Sequence, residues 1–142
     1  MTLGEELDTR LRPGSTQASS GPASAEADVE DADRLGVSLR RLKVAGGRGG
    51  LPGAVERLPG AASRALGETI VPVEVDAGLG GAVFRTAPNE VREREFYEIR
   101  ATGTEATVER FRAHDTGRDK VPFTLTRKQL GRLVDALDEA QR

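Results

Sequence analysis

Two constellations in this chain have the residue types of acid–base chemistry. His114 and Asp115 are neighbours, and Glu93, Glu95 and Glu98 bring three carboxylates close together in sequence. A histidine beside an aspartate suggests a general base, and paired carboxylates suggest proton transfer. Spacing argues against both. Adjacent residues at the end of a strand point apart. Seven arginines lie between Arg85 and Arg118, which favours cross-strand ion pairs for the glutamates. No GxSxG elbow supplies a nucleophile. His114 is the only histidine, so HExxH and multi-histidine metal sites are excluded. There is no cysteine, which excludes disulfides, thiolate catalysis and cysteine-type zinc sites. The expectation is a non-enzymatic chain with no catalytic residue, no metal and no cofactor.

Two further stretches resemble ligand loops and fail in detail. Residues 31–36, DADRLG, open like a calcium loop, but Leu35 and Leu42 occupy the fifth and twelfth positions, where ligands belong. Residues 45–53, AGGRGGLPG, lack the lysine of a phosphate loop, and Pro52 stands where GxGxxG needs its third glycine. The single Arg-Gly-Gly triplet at Arg48 reads as a flexible loop.

The elements that would position any site lie towards the C-terminus. Alternation predicts strands over 69–75, 81–86, 96–101, 106–113 and 121–126, with turns at Gly103 and Gly117. Pro72 makes the first of these an edge strand or delays its start. Leu130, Leu133, Val134 and Leu137 follow helical spacing behind Thr126 and Gln129, which form a capping box. The fold class read here is α+β: a small antiparallel β-sheet of four to five strands with one C-terminal amphipathic helix.

The remainder reads as accessory. Residues 1–34 hold eight acids and three bases, and GSTQASSGPASAE has the composition of a linker, so a disordered acidic arm is expected. Leu3, Leu7 and Leu11 permit a helical turn or two before Pro13. Residues 35–68 form a basic Gly/Pro-rich segment. It has a strand or helical turn over 37–44 and a short helix from about Pro59, which Gly67 ends. Residues 69–142 form the sheet-plus-helix domain. The chain starts without a signal-peptide pattern and holds no apolar run of membrane-spanning length, which points to a cytoplasmic protein with no membrane partner.

With one face of the sheet covered by a helix, the other is free. Strand parity puts Phe96, Glu98 and Arg100 on it, joined by Arg110 and Arg112 or by Glu109 and Phe111, according to register. From Phe84 to Arg132 there are eleven bases against eight acids. Arginines interleaved with an aromatic ring can hold phosphates and stack bases. Phe96, Arg100, Arg110, Arg112, Arg118 and Lys120 are therefore the candidate partner or nucleic-acid face. The first expectation is a module that binds a protein partner or itself as a homo-oligomer. The second is single-stranded nucleic acid.

The residues ATVERFR (106–112), Arg118 with Lys120, and FTLTRKQLGRL (123–133) give a strand, a basic turn, and a last strand running into a capped helix. In that order they resemble the PC4-like single-stranded-DNA-binding family, over about a third of the chain. Val121-Pro122 and Leu130 depart from its pattern. The resemblance implies a curved sheet whose basic turn meets a single strand.

Overall fold

The sheet begins where composition predicts a disordered arm. The computed structural model describes residues 1–142. In it Gly14–Ser20 (β1) and Ala23–Ala32 (β2) form a hairpin closed by Gly21 and Pro22. Along β2, Ala23, Ala25, Ala27 and Val29 are buried, while Ser24, Glu26, Asp28 and Glu30 are exposed. This is a period-two strand whose apolar positions are mostly alanine. Alanine adds little hydrophobicity to a composition count, yet these alanines are almost fully buried.

The chain continues as Gly36–Ala45 (β3), Gly50–Leu66 (α2), Ile70–Asp76 (β4) and Gly81–Thr86 (β5). After a short 3-10 turn at Pro88–Glu90 come Glu95–Ala101 (β6), Glu105–His114 (β7), Gly117–Val121 (β8) and Phe123–Thr126 (β9). Arg127–Ala140 (α3) ends it, and Leu3–Asp8 (α1) precedes β1. All nine strands join one antiparallel sheet, ordered β1-β2-β3-β7-β6-β5-β4. The four-to-five-stranded sheet with one helix and a disordered arm is thus corrected to nine strands and three helices. β3 is the hinge of the topology. Its second half pairs with β7 and its first half with β9. β7 diverges after Val108, β8 follows it, and Pro122 separates β8 from β9, splitting the single strand expected over 121–126. One sheet therefore runs through all three segments that composition separates.

The helices lie on one face. In α3 the Thr126 capping box forms, and Leu130, Leu133, Val134 and Leu137 are buried against β3 and β9. α2 is longer than its prolines suggest. It crosses Pro59 because Ala54, Leu58, Ala62 and Ala65 make one buried stripe, and that packing outweighs a lost helix bond. α1 buries Leu3 and Leu7 and crosses α3 where Gly4 meets Gly131. A Cβ on Gly4 would overlap the Gly131 carbonyl. The Gly4 amide donates to Asp135 Oδ1 at 2.8 Å, and Arg127 Nε donates to Asp8 Oδ1 at 2.9 Å, so α3 grips α1 at both ends.

The glycine-rich loop is also fixed. Gly46 and Gly47 both donate to the Thr104 carbonyl at 3.0 Å, and Gly49 donates to the Gln141 carbonyl at 2.7 Å. Side chains there would collide with Pro22 and the C-terminal residues. The glycines serve close backbone approach rather than flexibility. No helix is long and apolar enough to cross a membrane.

Candidate functional site

With α1, α2 and α3 on one side, the other side of the sheet is open, and β5, β6, β7 and β8 place a charged cluster in its β4 half. Glu98 projects from β6 onto this face and is 1% exposed. Arg118 grips it bidentately, from its two terminal nitrogens to Oε1 at 2.7 Å and Oε2 at 3.1 Å. Arg85 Nε donates to Oε1 at 2.9 Å and Arg100 Nε to Oε2 at 3.1 Å. Burial pushes the Glu98 pKa up, but the hydrogen bonds from Arg118 and Arg85 more than offset this and hold it at about 2. The carboxylate is charged at neutral pH and fixes three guanidiniums.

Aromatic rings brace the cluster. Phe96 and Phe111 lie 6.0 Å apart between ring centres. The Arg118 guanidinium stands 3.9 Å above Phe111 and that of Arg85 5.8 Å above Phe96. Three arginines against one glutamate leave two positive charges facing solvent. The terminal nitrogens of Arg85 and Arg100 have no protein partner, so they are the groups free to meet an anion.

A recess of about 460 Å³ adjoins Arg100, between the β4–β5 hairpin and the centre of the sheet. Arg41 and Arg100 line it together with Glu74, Asp76, Glu105 and Glu109, and Leu79 and Val83 add apolar surface. Leu79 is 86% exposed at its rim.

The six sequence candidates divide between the two faces. Phe96, Arg100, Arg118 and Lys120 are on the open face, with Lys120 held by Glu109 at 2.8 Å. Arg110 and Arg112 are on the helix side. Pairing of Phe96 with Phe111 and Glu98 with Glu109 selects the second of the two registers. Arg110 lies over Tyr97 and binds Glu68 at 3.3 Å and Glu95 at 3.1 Å, while Arg112 also binds Glu95. Arg41 and Leu79 escape sequence reasoning, because the pairing of β3 with β7 brings Arg41 to the recess and the β4–β5 turn brings Leu79. Arg85, one of the arginines expected to pair with the glutamates across strands, stands opposite Glu98.

The acid–base candidates do not assemble. Glu93 occupies a tight turn, Glu95 faces the helix side and Glu98 the open side. His114 Nε2 is 3.4 Å from Asp119, while Asp115 pairs with Arg94 at 3.3 Å. Asp33 of the calcium-like stretch accepts the amides of Leu35 and Gly36, closing the β2–β3 turn. No group of three or more histidine, cysteine, aspartate or glutamate side chains is placed to hold a metal ion.

No protein-family model, curated protein or solved structure matches the chain. The fold and the site define a small mixed α+β domain without catalytic features.

Proposed function

We propose that this chain is a binding module for a protein partner, and that its contact surface is the open face of the sheet around Arg85, Arg100 and the adjoining recess. One observation carries the reading. A buried glutamate orients three arginines on the uncovered face, two more positive charges than it can itself neutralise. Preorganised arginines lose little freedom on binding, which favours recognition over chance contact. The recess favours a protein. Its four acids and two bases repel a phosphate chain, whereas Leu79 and Val83 suit an apolar side chain. A partner segment with a carboxylate for Arg85 and Arg100, and an apolar or basic residue for the recess, matches both halves.

The half-buried Phe96, with Arg85 above it, favours a second reading, single-stranded nucleic acid, in which the ring stacks on a base. Against it, Lys120 and Arg118 already have carboxylate partners, and Arg110 and Arg112 are on the other face.

Paired affinity capture separates the two. Wild type is compared with the double variant Arg100→Gln, Leu79→Ser, both exposed positions, once circular dichroism and Tm show that the variant keeps the fold. The reading expects a protein retained by wild type, lost from the variant and indifferent to nuclease. Identical capture by both, or capture that disappears with nuclease, contradicts it.

A further inference from the structure

The two edges of the sheet are built differently. β4 is blunted: Pro72 has no amide to donate, and a bulge after it leaves Val73 out of register. Both devices discourage strands from adding to an edge. β1 has neither. Its sequence GSTQASS carries no proline and no charge, and its register with β2 is unbroken from Gly14 to Ser20. β1 pairs with β2 alone. The two-residue loop makes Ser20 and Ala23 a hydrogen-bonded pair, so Thr16 and Ala18 bond inward and Ser15, Gln17 and Ser19 turn their amides and carbonyls outward. None of the turn and loop backbone bonds reaches these three residues.

We infer that β1 pairs antiparallel with β1 of a second copy about a two-fold axis at Gln17, joining two sheets edge to edge. The strand is self-complementary in that register. Gln17 meets its equivalent and Ser15 meets Ser19, and all three present outward backbone groups. Thr16 meets Ala18, both buried on the helix side, so the two helix-covered layers run on into each other. No charged side chain lies on the paired strands themselves; Arg10 and Arg12, in the segment leading into β1, border Ser15, Thr16 and Gln17. This inference is independent of the partner reading, which uses the opposite end of the sheet.

Sedimentation equilibrium on the whole chain tests it. An interface of one strand pair is small, so the species should shift from 15.1 kDa towards twice that between about 10 µM and about 1 mM. Gln17 is exposed, so Gln17→Lys and Gln17→Glu keep the fold. Each alone should weaken the dimer about tenfold or more through like charges at the axis, and mixing the two should restore it. Amide exchange at Ser15, Gln17 and Ser19 should slow with concentration. A wild type that stays monomeric across that range overturns the inference. So does a dimer unmoved by both substitutions, or one lost on Val73→Lys in β4.

Discussion

Taking a carboxylate out of water is unfavourable unless its charge is matched, and Glu98 is matched by three guanidiniums. Removing the charge leaves those arginines repelling one another. Glu98→Gln should lower stability by about 1.5–3 kcal/mol, as for lost hydrogen bonds to a charged group; chemical denaturation measures it. The folded-state pKa of Glu98 is depressed from the ordinary 4.5 to about 2. Its contribution is therefore complete above pH 4.5 and fades as the pH falls towards 2, because only the unfolded chain gains a proton in that interval. Glu98→Gln should flatten the acid limb of the stability profile; an unchanged limb would dissociate Glu98 from the effect. A second residue-scale feature is the turn at Glu93 and Arg94, whose φ values are +53° and +64°. Asn-Gly suits this left-handed pair, so Glu93→Asn with Arg94→Gly should raise stability by about 1 kcal/mol. Parity alone put Phe96, Glu98 and Arg100 on one face. It could not choose between Arg110 with Arg112 and Glu109 with Phe111, because that needs the register between two strands.

At the scale of elements, the crossing of α1 over α3 depends on the absence of a side chain. Gly4→Ala should cost about 1–3 kcal/mol by forcing the helices apart. Leu133, fully buried in α3, should cost about 2–5 kcal/mol when cut to alanine. A change in Tm near zero for either would show that α3 is not the clamp described. α3 was legible because leucine and valine at helical spacing mark a buried stripe, and Thr126 with Gln129 marks its start. The β5 and β6 strands were legible from alternating large residues. β1 and β2 were not, because their inward positions are Thr16, Ala18, Ala23, Ala25 and Ala27, which resemble a linker by composition. Period-two alternation in ASAEADVE was the available signal. The full length of α2 was hidden by Pro59, whose local preference yields to packing on either side.

At the scale of the molecule, one core cluster runs from Leu3 to Ala140. Removing residues 1–34 would remove β1 and β2, leave that edge of β3 unpaired and uncover α3, so the remaining chain should unfold rather than persist as a trimmed domain. Circular dichroism of that truncation, against a single cooperative transition for the whole chain, checks this. The resulting sheet has one covered face and one uncovered face, and the uncovered face bears the organised charge. The most direct test is amide hydrogen exchange of the whole chain, free and bound to the protein recovered by paired capture. The account predicts slowed exchange in β5, β6 and the β4–β5 hairpin, centred on Arg85, Arg100 and Leu79, with the three helices unchanged. Slowed exchange confined to α1, α2 and α3, with the open face unaffected, would contradict it.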